Sequence, residues 1–154
     1  MYPSVLLPRE SMGPVSWDGA QRSRIGEMES EVLELAEQTL AASSAPDFGG
    51  DSRRADPEEL FVASLSSCHM LWFLGLARAE KIRVAAYEDE AEGTLDGTRF
   101  IRVVLRPRVV FDGEVDIGRV DSLHHRAHER CFISNSVACP VEVEPRRQDD
   151  ATPS

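Results

Sequence analysis

The chain has 154 residues, enough for one domain with a packed core, and carries 17 Lys and Arg against 27 Asp and Glu, a net charge of −10. A chain this acidic repels phosphate backbones and anionic lipid, so nucleic acid and membrane surfaces are poor partners. No apolar run reads as the roughly 18 to 20 residues needed to span a bilayer.

The first ten residues lack a basic start and a sustained apolar stretch, so no signal peptide is expected. Three cysteines without a secretion signal point to a reducing cytoplasm, where any disulfide is transient or catalytic. Residues 1–12 and 146–154 are polar or proline-bearing and read as tails around a single domain over 13–145. From Val15 to Leu35 the sequence, broken by Gly19 and Gly26, reads as one or two strands or a hairpin, and residues 31–40 fit a helix equally well. Residues 43–55 are rich in turn formers and read as a loop.

The signal then sharpens. Asp56 stands as a helix N-cap, Pro57 takes the first helical position, and Glu59 is the acid that can bond back to the cap. Apolar residues follow on most faces from Leu60 to Ala79, which marks a helix about 35 Å long, buried in the core or between subunits. Ile82 to Ala91 and Thr98 to Phe111 read as two strands joined by a Gly93–Gly97 hairpin. Ile101, Val103 and Leu105 lie on the buried face of the second strand, and Arg102, Val104 and Arg106 on the wetter one. Asp112-Gly113 marks a turn, Asp116 caps a second helix to about Arg130, and residues 141–144 form a short last strand. The order predicts an α+β fold, with helices packed on antiparallel sheet.

Two cysteines carry the chemistry. Cys68 lies deep in the apolar helix, beside Ser64, Ser66, Ser67 and His69, polar groups for which a core helix has no packing reason. Cys131 lies near the end of the second helix. Either could be a packed thiol, as free cysteine often is, and Cys139 is a third thiol that competes for the role. A rival is a metal site, since spacings of four and three put His124, His128 and Cys131 on one helix face and imidazole with thiolate suits zinc. No fourth ligand is evident locally, and solvated histidines explain the spacing more simply. Glu58 lies ten residues before Cys68, about 15 Å along one helix, so it can serve that thiol only from a second copy of the chain.

These residues resemble the OsmC/Ohr family of thiol peroxidases, the osmotically inducible and organic-hydroperoxide-resistance proteins. The family's first motif, Asn or Thr, then Pro-Glu-Glu/Gln-Leu and a helix cysteine, is matched by Asp56-Pro57-Glu58-Glu59-Leu60 through Cys68. The second, Cys-Pro-Tyr-Ser-Asn in the Ohr branch, is matched by Cys131-Phe132-Ile133-Ser134-Asn135. The resemblance runs from about Val15 to Glu144 and is nearest to an OsmC-like branch.

It implies an intertwined homodimer, two long central helices cradled by antiparallel sheets, with active sites at the subunit boundary. It implies that Cys68 attacks an organic hydroperoxide, that Cys131 closes a disulfide on it, and that a dithiol or lipoyl reductant reopens it, with no cofactor and no metal. An arginine held by the motif glutamate, here Glu58, would activate the thiol. Arg22 is the first candidate and Arg54 the second, because the loop slot after Phe48 holds Gly49. That departure favours a rival of another class, an OsmC-like binding protein without catalysis.

Overall fold

The structure, a computed structural model, describes residues 12–16, 30–35 and 38–147. They fall into two compact units that divide between Leu60 and Phe61.

In the first unit, β1 (Met12–Ser16), β2 (Ser30–Leu35) and β3 (Gln38–Ser43) form an antiparallel sheet in that order. The strands expected within Val15–Leu35 are β1 and β2, paired antiparallel, and the helix over 31–40 is absent: β2 also pairs with a further strand, β3, residue by residue from Ser30↔Ser43 to Leu35↔Gln38. The loop over 43–55 contains a 3₁₀ turn at Pro46–Phe48 and returns to β3 through a parallel bridge from Ala55 to Ala42. Gly49 closes the turn at φ 78°, a left-handed conformation that glycine adopts without strain.

Helix α1 (Pro57–Ala79) begins as its capping residues predict. The Glu59 N–H donates to Asp56 Oδ1 at 2.7 Å, and the Asp56 N–H donates to Glu59 Oε2 at 3.3 Å, so two helix-end donors are satisfied reciprocally. Leu65, His69, Phe73, Leu76 and Ala77 form one buried stripe at helical spacing. The sequence reading finds no run able to span a bilayer, yet this 23-residue helix is long and apolar enough by length and composition. Serines and a histidine interrupt the apolar residues without lowering the average far. One stripe of it is packed into the apolar clusters of the second unit.

The second unit holds the remaining strands. β4 (Val84–Asp89) pairs antiparallel with β7 (Pro107–Phe111), and β5 (Glu92–Asp96) pairs antiparallel with β6 (Arg99–Leu105). The predicted two strands are thus four. The hairpin turns at Asp96–Arg99 around Gly97, with Gly93 inside β5. The second long strand breaks at Arg106, whose N–H donates to the Asp89 carboxylate at 2.7 Å. Alternation also fails at the end of β6, where Val103, Val104 and Leu105 are all buried. Helix α2 (Ile117–Arg130) is capped by Asp116, whose side chain accepts from the Arg119 N–H. β8 (Val141–Val143) adds to β6 in parallel.

Two apolar clusters fix these elements. Phe73, Leu76 and Ala77 of α1 meet Leu123 and Ala127 of α2 and Val109 of β7. Leu65 meets Val103 and Leu105, with Phe61, Val62 and Phe100 against them. Gly93 sits where β5 crosses this second cluster. A Cβ there would lie 2.6 Å from Phe100 and 2.7 Å from Val62. Gly93→Ala is therefore expected to destabilise the protein by about 1–3 kcal/mol through overpacking, measured as a lower urea midpoint at unchanged slope.

Candidate functional site

The face of α1 that carries Cys68 meets the C-terminal end of α2. Cys131 caps that end: its N–H donates to the His128 carbonyl, and the chain leaves the helix there. Cys131 is 1% exposed and lies near enough to Cys68, which is half-buried, for each thiol to feel the other; both are free. Burial pushes the Cys131 thiol up to about 11. The Ser134 N–H, donating to its sulfur at 3.4 Å, opposes this, and the Cys68 neighbour adds to it. One turn beyond Cys68, Trp72 meets Phe132 edge-on at 5.5 Å, and the Arg130 guanidinium lies 6.0 Å from its ring centre. Phe132 is 60% exposed, so an aromatic surface borders the thiols on the solvent side.

Ser64, Ser66 and His69 beside Cys68 have structural partners that the sequence did not reveal. Ser66 donates to Asp89, which also holds the β6–β7 break, so this hydroxyl ties α1 to the sheet. Ser64 donates to the Phe61 carbonyl within the helix. His69 is fully buried and joined to His124, Nε2 to Nδ1 at 3.1 Å. His124 is 3% exposed, which corrects the expectation of solvated histidines on α2; His125 is the exposed one. The spacing of Leu65, His69 and Phe73 was the available signal, since it puts His69 on the buried stripe.

His69 Nδ1 is buried without a partner. A bare buried lone pair costs less than an orphaned N–H, so the proton sits on Nε2 and is donated to His124 Nδ1. The metal alternative finds no support: His124 Nδ1 is already engaged, and among the described residues no group of three or more His, Cys, Asp and Glu side chains could hold an ion.

The remaining candidates lie in the first unit, outside the described residues, or on the second apolar cluster. Glu58 is half-buried in the first turn of α1, about 15 Å along the helix from Cys68. Arg54 belongs to the first unit, where its Nε lies 3.8 Å from Asp51, which Arg53 holds more closely at 2.9 Å. Arg22 lies outside the described residues. Gly49, in the slot where the resemblance expects arginine, adopts a left-handed backbone that a longer side chain would strain. Cys139 packs on the Leu65, Val103 and Leu105 cluster, as a small hydrophobe would.

The sequence signature of the OsmC-like protein family matches residues 49–146, and the chain belongs to that family. A solved OsmC-like protein of unknown function from Vibrio cholerae is 38% identical over 76% of this chain and 84% of its own, with a TM-score of 0.73. An organic hydroperoxide resistance protein from Legionella pneumophila shares the fold at 21% identity, a TM-score of 0.62, and coverage of 87% of this chain and 94% of its own. An uncharacterized protein of Methanocaldococcus jannaschii is 25% identical over 75% of this chain; the chain spans 65% of that relative's length. The α+β architecture expected from the sequence is thus the OsmC fold.

The histidine pair makes a pH prediction. Burial holds His69 down near 4, with His128 adding repulsion, and burial followed by His69 holds His124 near 3. Unfolded, both protonate near 6.5. Because the folded state resists protonation, the pair's stabilisation is complete above pH 6.5 and declines as pH falls toward 4, by an amount on the order of 3 kcal/mol for His69. Urea midpoints should drop across that window, and the drop should shrink in His69→Leu. An equal drop in both proteins would contradict the assignment.

Proposed function

We propose that the protein is a cysteine-based peroxidase that reduces organic hydroperoxides to alcohols. The observation that carries this reading is the contact between Cys68 and Cys131, 63 residues apart in sequence. In the proposed cycle the Cys68 thiolate attacks the outer oxygen of R–O–O–H. The O–O bond breaks, the alkoxide leaves and takes a proton to become the alcohol, and Cys68 becomes a sulfenic acid. The Cys131 sulfur then attacks the Cys68 sulfur. The S–O bond breaks, hydroxide leaves with the Cys131 proton as water, and a disulfide remains. A dithiol or lipoyl reductant returns two electrons and two protons. The apolar border of Trp72 and Phe132 suits an organic substrate better than hydrogen peroxide.

Thiolate formation in an apolar seam needs a cation, and the proposal assigns it to Arg22 first and Arg54 second, oriented by Glu58. The helix distance from Glu58 to Cys68 requires that the carboxylate come from a second copy, so the working form is a homodimer with shared sites. An uncovered side of α1 agrees with this: Leu71 is 63% exposed on a largely apolar helix. A reductant pool of this kind is that of a reducing cytoplasm, the compartment this reading gives the protein.

A second reading has its own observation. Gly49 stands where the activating arginine is expected. A chain without an activating cation would be an OsmC-like binding protein that keeps the scaffold alone. Thiol alkylation against pH separates the two, since a Cys68 that ionises only above about 8.5 supports the binder.

For the peroxidase, Cys68→Ser should reduce turnover of cumene hydroperoxide to background, and Cys131→Ser should consume about one equivalent and stop at the sulfenic acid. Unchanged steady-state activity in Cys68→Ser would refute the reading.

A further inference from the structure

Beside the thiol pair lies a second buried pair that the peroxidase chemistry does not use. His69 follows Cys68 on α1, and His124 lies about two turns before Cys131 on α2. Their rings are parallel to within 2°, and the Nε2 to Nδ1 hydrogen bond is 3.1 Å. Around them the seam between the helices is apolar. Phe73 stacks on His124 at 4.3 Å, and Leu123 and Ala127 share its cluster. Apolar contacts tolerate small slides and rolls of one helix on another, because dispersion and burial have no direction. A hydrogen bond between two planar rings does have one.

At the far end of the seam Glu80 accepts from Arg119 at 3.0 Å and from Arg126. This ion-pair cluster is half-exposed and remote, whereas the histidine pair is buried and next to the sulfurs.

Disulfide closure is sensitive to this placement, since it accepts Cα separations of only about 4.4–6.8 Å and a narrow torsion. We propose that the His69–His124 hydrogen bond is the positioning pair of the Cys68–Cys131 couple: it fixes the roll of α1 against α2 that sets the two sulfurs opposite each other. The inference rests on the proposed use of those cysteines as a disulfide couple. The histidines act through the helices and touch neither substrate nor the reacting oxygen.

The test is an equilibrium that needs no peroxide. The full chain is equilibrated in glutathione buffers, where two thiols and one oxidised glutathione exchange for the Cys68–Cys131 disulfide and two reduced glutathiones, and the disulfide is quantified by mass spectrometry. His124→Leu and His69→Leu should each lower the equilibrium constant about tenfold, a rise of about 30 mV in reduction potential. His69→Gln keeps an amide donor near the Nε2 position and should remain close to the natural chain. Phe73→Leu loosens the same seam by packing alone and should move the constant much less.

Leucine variants with the natural constant overturn the proposal, and so does a Phe73→Leu shift as large as that of His124→Leu. A natural chain that forms no Cys68–Cys131 disulfide in any buffer sinks the peroxidase reading and this inference together. Unchanged constants in histidine variants of a chain that does form it sink this inference alone. If the leucine variants do not fold, imidazole ¹⁵N spectra of the natural chain decide. One proton on His69 Nε2 shared with His124 Nδ1, in both redox states, supports the positioning pair, and two independently titrating rings overturn it.

Discussion

The packing of α1 against α2 is the constraint on which the site depends. One stripe of α1, from Leu65 through His69 and Phe73 to Leu76 and Ala77, is buried. Leu123, His124 and Ala127 are its counterparts on α2. Rotating either helix by one residue, about 100°, would expose this stripe and carry Cys68 away from Cys131. Full burial of each large side chain in the seam stabilises by about 1.5–3 kcal/mol, so the register of the helices, and with it the meeting of the thiols, is strongly preferred. The sheet enforces the same register through Ser66, whose hydroxyl is held by Asp89.

Charge is arranged away from this seam. Arg102 pairs with Glu142, Arg106 with Glu92, Arg108 with Glu88 and Arg146 with Glu90, an outer ladder across the strands of the second unit. Such exposed pairs add little stability each, although opposite charges on neighbouring strands do favour the observed pairing. In the seam the ionisable groups face desolvation instead, and Cys131, His69 and His124 are all shifted toward their neutral forms. A peroxidase needs an anionic sulfur, so any activation must come from a cation brought to the open side of the thiol pair. That requirement makes a shared site between two copies chemically useful.

Much of the fold was legible because several local signals agreed. The Asp56, Pro57 and Glu59 cap located the start of α1 to within a residue, and Asp116 did the same for α2. The family resemblance rested on the segment from Asp56 to Cys68 together with Cys131 to Asn135, and the matched family region includes both. Strand boundaries were harder. The break at Arg106 depends on a carboxylate 17 residues away, and the buried run from Val103 to Leu105 depends on coverage from both sides, neither of which a period of two can reveal. Residues 31–40 fitted helix and strand alike, and pairing decided for strand.

The two neighbouring thiols stood out in the sequence, and the burial of the histidines did not. The thiols stood out because cysteine is scarce here, with three in the chain. The histidines looked like a solvated face because a helix period gives a direction and says nothing of what lies opposite. Only the approach of α1 showed that His124 is buried.

The most direct test is to treat the reduced protein with one equivalent of cumene hydroperoxide and map the cysteine-linked peptides by mass spectrometry. The peptide containing Cys68 should become cross-linked to the one containing Cys131, with Cys139 left as a free thiol. A Cys68 that stays reduced, or that oxidises onward without cross-linking to Cys131, would contradict this.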